Sequence, residues 1–320
     1  MRAIQIVDLS GPESALELTD LPEPDGDGVL IDVRAAGVAF PDVLQTRGQY
    51  QVKPDLPFVP GSEVAGVVRR APDGASVREG DRVAGFCVLG GFAELALAPP
   101  QFTFPLSDRL DYAQGAGLIL NYHTAYFALK LRGRLREGET VLVHGAAGGV
   151  GTASLQVAKG LGARTFAVVS SEQKERIARD AGADEVLRSD GDWKDQAKEL
   201  SGGGVDVVLD PVGGDRFTDS LRSLREDGRA VVVGFTGGSI PEVRVNRLLL
   251  NNIDVVGAGW GAYIGKRPEV IGEIADAVSR LVEEGHIVPL VGARLPLERA
   301  ADALRLIDGR AATGKIVLEP

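Results

Sequence analysis

The stretch "VLVHGAAGGVG", Val141 to Gly151, constrains the fold more than any other part of this 320-residue chain. An apolar run ends in a histidine, a turn of glycines and alanines follows, and "TASLQVAKGLG" then reads as a helix. A strand that turns sharply into a helix leaves free backbone N–H groups at the helix start, and such a place suits an anion. Gly145, Gly148 and Gly151 are spaced G-x-x-G-x-x-G, with Gly149 added. Gly145 ends the strand in a tight turn. Gly148 or Gly149 lets the backbone approach a pyrophosphate, and Gly151 permits close packing of helix on sheet. The candidate cradle is therefore Gly145, Ala146, Gly148, Gly149, Val150 and Gly151. A tight turn with no ligand is the plainer alternative, and the strand and helix on either side weigh against it.

The flanking sequence repeats the same pattern. "VLVH", "ARTFAVV", "EVL", "VDVVLD", "RAVVVGF" and "IDVVGAG" alternate with helical stretches such as "SEQKERIARDAG" and "WKDQAKELS". Alternation of this kind predicts right-handed βαβ units, and six strands are the number that a doubly wound dinucleotide domain uses. The first hundred residues differ. "RAIQIV", "ALELTD", "GVLIDVRAAG", "EVAGVVRR", "DRVAGF" and "FAELALA" are short strands punctuated by Pro, Gly and Asp, which suggests a β-rich domain. The last strand, "GKIVLEP", lies apart from the alternating region and could return to the first domain, making the cofactor domain an insertion.

Composition excludes several classes. Hydrophobic residues make up 44% and charged residues 25%, as in an ordinary globular protein. A net charge of -10 with no basic block argues against a nucleic-acid partner. One cysteine, Cys87, allows no internal disulfide and suits a reducing cytoplasm. "MRAIQIVDLSGPE" reaches Asp8 before any long apolar run, so no signal peptide is expected. The uncharged run from Val141 to Ala158 reads as turn and helix rather than membrane span, because of its glycines, Thr152, Ser154 and Gln156.

The nucleotide's ribose can be read at the end of the second strand, where NAD-binding proteins carry an acid. Here Ser170 and Ser171 occupy that end, with Lys174 one turn later and Glu172 between. Two hydroxyls and an ammonium suit a 2′-phosphate and point to NADPH. Ser171 can also serve as a helix N-cap, with Lys174 a solvated surface charge.

These segments together resemble the zeta-crystallin-like quinone oxidoreductases of the medium-chain dehydrogenase/reductase superfamily. The resemblance rests on "PGSEVAGVV", "HGAAGGVGTASLQVAK", "GADEV", "VLDPVGGDRF", "NYHTAY" and "GRAATGKIVLEP" and runs over essentially the whole chain. It implies an α/β protein: a GroES-like catalytic domain (1–118 with 265–320) interrupted by a Rossmann doubly wound parallel-sheet domain (119–264), forming a homodimer. It also implies ligands in a cleft between domains. By position, Thr124 would lie near the nicotinamide, Lys174 and Arg310 near the 2′-phosphate, and Val212 and Phe235 along the cofactor cleft. Tyr50 would face the substrate with Asp42 nearby. Two departures stand out: the active-site loop reads Ala39-Phe40 where relatives often have a polar Asn before the aromatic, and Ser189, with Arg188 beside it, aligns with a Tyr found near the adenosine phosphate in some relatives.

The zinc alcohol dehydrogenases share this architecture, but their Gly-His-Glu is Gly61-Ser62-Glu63 here. His123, His144 and His286 fall in separate elements, so a zinc trio is not expected. Without a Lewis acid to polarise an alcohol or ketone, the expected acceptors are quinones, which take electrons readily. Enones, alkenals and enoyl thioesters are the alternative. Tyr50 could donate a hydrogen bond to the developing oxyanion or simply wall the pocket. Asp42 could hold a water or a loop amide, or cap the helix at "PDVLQTRG"; capping is favoured. Trp260 is a candidate lid or interface residue, with core packing the plainer role. A nucleotide-binding structural or RNA-binding protein without turnover is the alternative from another class.

Overall fold

The computed structural model describes residues 1–320. Seven strands precede the alternating region: β1 (Arg2–Ile6), β2 (Leu16–Asp20), β3 (Val29–Val38), β4 (Glu63–Arg70), β5 (Arg82–Phe86), β6 (Leu95–Ala98) and β7 (Thr103–Pro105). Six form the alternating region: β8 (Thr140–His144), β9 (Arg164–Val169), β10 (Glu185–Arg188), β11 (Val205–Asp210), β12 (Leu224–Val232) and β13 (Asp254–Gly257). The last two are β14 (Val291–Pro296) and β15 (Lys315–Glu319). The chain divides into two compact units. One comprises Met1–Asn121, Ile271–Ser279 and Val288–Pro320; the other comprises Tyr122–Val270 and Arg280–Ile287.

In the first unit a seven-stranded sheet has the order β14-β15-β3-β4-β5-β7, with β6 also paired to β3, and β1 and β2 form a separate ribbon. β15 lies antiparallel to β3 with Leu318 opposite Ala36, so the last strand of the chain closes a sheet built mostly from the first hundred residues. Its core combines Ile31, Val64, Val83 and Phe92 with Leu297, Leu304, Ile316 and Leu318.

In the second unit the six strands run parallel in the order β10-β9-β8-β11-β12-β13. This is the doubly wound order, in which the direction of winding reverses between β8 and β11, and ligands bind beyond the carboxyl ends of the strands there. β11 is buried along its whole length because helices cover both faces of a parallel sheet, which is why Val207, Val208 and Leu209 stand in succession without polar alternation. The Leu142, Phe166, Val208, Phe217 and Ala230 side chains fill one core cluster of this sheet. Helix Gly149–Gly160 follows the glycine turn as expected.

Between Leu118 and Arg132 the chain forms a helical stretch with two π-type segments, Leu118–His123 and Phe127–Arg132, flanking Thr124–Tyr126. No helix is long and apolar enough to cross a membrane.

Candidate functional site

Four strand ends in the second unit carry nearly all the nucleotide candidates. At the end of β8, Gly145 has φ +58, a conformation that favours glycine, and Gly148 N–H donates to Gly145 O at 3.0 Å to close the turn. Gly148 is the N-cap of the helix and brings no side chain to its first-turn amides, which leaves them for an anion. Gly151 is required by packing: a Cβ there would sit 2.2 Å from Gly145 O and 2.7 Å from Ala146 Cα. Ala146 is buried, and its N–H donates to Val168 O at 3.4 Å, tying the turn to β9. Val150 is half-buried in the first turn of the helix.

At the end of β11, Asp210 Oδ1 accepts from the N–H groups of both Val212 and Gly213, at 2.8 and 2.9 Å. That bend brings Val212 Cγ2 within 3.1 Å of where a Gly145 Cβ would stand, so the two turns abut. Phe235, just past β12, lies against Gly213 and keeps 37% of its surface exposed. The structure therefore gathers the glycine turn, Val212 and Phe235 in one place.

At the end of β9, Ser170 is exposed, and Lys174 Nζ donates to its Oγ at 3.5 Å. Ser171 is the N-cap of helix Glu172–Asp180, its Oγ accepting from Lys174 N–H at 3.3 Å. Glu172 points to solvent and pairs with Arg176 one turn on. No carboxylate closes the strand, so this end fits a ribose that bears a phosphate better than one with free hydroxyls. Thr124 is buried at the start of its short helix. Arg310 is exposed in the first unit with φ +57.

The buried histidines and Trp260 of the second unit take structural places, the plainer of the roles the sequence offered. His144 is wholly buried, shares a 2.8 Å hydrogen bond with Ser220 Oγ, and meets Trp193 edge to face at 4.9 Å. Burial lowers its pKa to about 4, so the ring is neutral. His123 is pushed down to about 3 by burial and packs edge-on to Trp260. Trp260 is itself buried, which is the core role rather than a lid. Tyr122 is fully buried and donates its hydroxyl to Gln156 Oε1 at 2.8 Å, fixing the helical stretch to the nucleotide helix.

The first unit holds a buried polar cluster around Asp42. The helix there spans Phe40–Gln45 and starts two residues before Asp42, so its N-cap is Ala39. Asp42 acts from within the first turn, Oδ2 accepting Ala39 N–H at 2.7 Å. Asp42 thus caps the helix from its third position, as the carboxylate half of a capping box rather than as the leading residue, and Pro41 at the second position suits a helix that begins at Phe40. Next to it, Lys315 Nζ donates to Glu63 Oε1 at 2.5 Å, and Glu63 Oε2 accepts Leu120 N–H at 2.7 Å. Burial drives the Asp42 pKa up to about 7, against the pull of the Ala39 amide and Lys315. Tyr50 is half-buried, its pKa raised first by burial and then by the Asp42 charge.

The Asp42 shift has a direct consequence for stability. Its folded-state pKa of about 7 lies above the ordinary value near 4, so the folded chain binds the extra proton between these limits. The stability contribution is full at about pH 4 and is lost as pH rises through about 7. Asp42→Asn keeps an acceptor for Ala39 and cannot ionise. Between pH 5 and pH 8 the urea midpoint should fall more in the wild type than in this variant; parallel profiles would exclude the effect.

No group of three His, Cys, Asp or Glu side chains stands where it could hold a metal ion. Ser62 is buried beside Glu63, and burial pushes the Cys87 thiol up to about 12, keeping it protonated while Sγ lies 3.6 Å from Gly61 O.

Comparison with known proteins agrees with this geometry. Residues 25–108 match the alcohol dehydrogenase GroES-like domain, and residues 149–279 match the zinc-binding dehydrogenase domain. The chain is 39% identical to the quinone oxidoreductase-like protein 2 of Mus musculus, over 99% of this chain and 91% of that one. A probable oxidoreductase from Mycobacterium abscessus superposes with a TM-score of 0.91 at 45% identity, covering 100% of this chain and 99% of that one. The quinone oxidoreductase of Thermus thermophilus, whose complex with NADPH is also solved, superposes at 0.84 with 33% identity and full coverage of both chains. With the GroES-like match, the doubly wound sheet and relatives that span its whole length, the chain belongs to the quinone oxidoreductase family of the medium-chain dehydrogenase/reductase superfamily.

Proposed function

We propose that this protein is an NADPH-dependent oxidoreductase that reduces quinones without zinc. The observation that carries the reading is the pairing of an open glycine turn after β8 with a β9 end that offers Ser170 and Lys174 and no acid. NADPH supplies a hydride when bound. The first-turn amides of helix Gly149–Gly160 would hold its pyrophosphate, and Val212 and Phe235 would border it. Lys174, Ser170, Ser171 and Arg310 would serve the 2′-phosphate, and Thr124 the nicotinamide end. Tyr50 would donate a hydrogen bond to the acceptor oxygen as charge develops there. Asp42 has no surface in contact with solvent, so it would act indirectly, by fixing Ala39 ahead of its helix and by its charge on Tyr50.

Zinc independence is supported by the donor set: Ser62 brings no imidazole, and no three His, Cys, Asp or Glu side chains are grouped around it to hold an ion. A quinone needs less polarisation than an alcohol because reduction makes its ring aromatic. NADPH oxidation should therefore proceed with 1,4-benzoquinone-type acceptors after exhaustive chelation, and NADH should be the poorer donor. Enones, alkenals and enoyl thioesters belong in the same panel. Quinones inert beside efficient alcohol oxidation, or activity restored only by stoichiometric zinc, would overturn the proposal.

The partner of the second unit is a further copy of the chain in this reading. β13 is the outer strand of the parallel sheet, and the segment leading to it exposes Ile240, Val245, Leu249 and Leu250, each to more than 70%. An open strand edge beside an apolar patch is self-complementary about a two-fold axis. Sedimentation should give twice the 33.6 kDa chain mass, and Leu249→Glu with Leu250→Glu should give the single mass. A wild-type monomer at micromolar concentration would exclude this dimer. The single cysteine supports a cytoplasmic location.

A further inference from the structure

β9 and β10 pair in parallel with Arg188 directly opposite Val169, the residue before Ser170. This register sets the arginine beside the β9 end. Its Nη2 donates to the Ser170 carbonyl at 3.3 Å, and Ser189 N–H donates to Val169 O at 2.9 Å, locking the two strand ends together. Lys174 reaches the same serine from the other side, through Oγ. A guanidinium and an ammonium, carried by different elements, thus converge on one residue. The Arg188 Nε is buried and has no hydrogen-bond partner. The guanidinium also pairs with Asp190, at 3.1 Å, with both side chains well exposed. A surface pair of that kind holds an arginine only weakly. Nε is enclosed, and Nη2 serves Ser170 and Asp190, so Nη1 is the donor of the guanidinium that no group of the protein uses.

We infer that Arg188 is a specificity-determining residue, which together with Lys174 forms a two-cation seat for a phosphate monoester on the ribose of the bound nucleotide. The inference rests on the nucleotide reading proposed above and extends it to a residue on a third strand. Chemistry explains the residue type. A phosphate monoester carries about -1.5 to -2 charges near neutral pH and presents several acceptor oxygens. A planar guanidinium offers two parallel donors to such a group, while an ammonium acts as a point charge. The seat also explains how a chain of net charge -10 can bind a trianionic or tetraanionic nucleotide: local cations at the β9–β10 corner outweigh the distant acids, which salt screens.

The test uses the full chain and two small probes, adenosine 2′,5′-bisphosphate and 5′-AMP, titrated by calorimetry at one salt concentration. Wild type should bind the bisphosphate more tightly. Arg188→Met should weaken the bisphosphate by about tenfold to a hundredfold, the range for a hydrogen bond to a charged group. It should leave 5′-AMP within about twofold, as expected when an interaction with the 2′-phosphate alone is lost. An unchanged melting temperature without ligand confirms that the variant is folded. If wild type shows no preference for the bisphosphate, the NADPH reading falls. If wild type has the preference and Arg188→Met keeps it, or loses both probes equally, the nucleotide reading stands and the role of Arg188 is refuted.

Discussion

Gly151→Ala should cost the second unit about 1–3 kcal/mol, as overpacking of a close contact does, and should weaken NADPH binding by roughly a hundredfold or more through lost amide contacts. The added methyl would stand 2.2 Å from Gly145 O and within 2.8 Å of the Ala146 backbone. These are main-chain atoms of the turn itself, so no side chain can rotate away. Either the helix lifts from the sheet or the turn shifts, and both movements displace the first-turn amides. Gly148→Ala supplies the contrast. Its Cβ would be 3.4 Å from Gly145 O, an ordinary contact at a negative φ. That variant should keep its stability and lose affinity only if the pyrophosphate approaches there. Urea unfolding and calorimetric titration of both variants check the pair. A Gly151→Ala protein with wild-type stability and affinity would contradict the packing role.

Lys315→Met is the second large effect, expected to destabilise the first unit by about 3–5 kcal/mol. Lys315 and Glu63 are 3% and 1% exposed, and the ammonium is the counter-charge of this carboxylate. Removing it leaves Glu63 buried with the Leu120 amide as donor. It also removes the positive charge that holds the Asp42 pKa down, so Asp42 should titrate still higher. Glu63→Gln added to Lys315→Met should recover much of the loss, because the amide still accepts from Leu120 and no unpaired charge remains. Denaturant midpoints of the two variants decide it. A cost under about 1 kcal/mol for Lys315→Met, the size of a surface pair, would mean that the ion pair is solvated.

The features legible in the sequence share one property, which is that their physics is local. Most strands of the doubly wound sheet carry a short apolar run with a helix soon after it, so "VLVH" through "IDVVGAG" could be placed from pattern alone, although β12 begins at Leu224, ahead of the charged Arg225, Glu226 and Asp227 that the pattern does not mark as strand. The glycine turn was legible because Gly145 needs its φ and Gly151 its lack of a Cβ, and both needs leave a residue type behind. β7 and β14 left weaker marks: β7 spans only Thr103–Pro105, and the exposed alternate positions of β14 give it no apolar run. The Glu63–Lys315 pair joins residues 252 apart, and no spacing rule reaches across such a distance. Arg188 stood out in the sequence only as the neighbour of Ser189, and it took the β9–β10 register to put it opposite Val169. Asp42 was singled out, but its place within the first helical turn depends on where the helix begins, which Phe40 and Pro41 decide.

The pairing of β15 with β3 also sets an order of events during synthesis. The parallel sheet of the second unit runs from Thr140 to Gly257 in one contiguous stretch, so all its strands are synthesised before β14 and β15. The first unit must wait. Until Lys315–Glu319 arrives, β3 has an open edge over Ala36–Val38, Glu63 has no ammonium beside it, and β14 has no neighbour in its sheet. An exposed edge strand with apolar residues invites pairing with other chains. The newborn chain therefore has the strands of its parallel sheet complete while the first-unit sheet stays incomplete and adhesive for the time it takes to make some sixty further residues, a few seconds to about ten seconds at ordinary elongation rates. Chaperone dependence in this protein should thus concentrate on β3 and Glu63, which wait for β15 to find their partners.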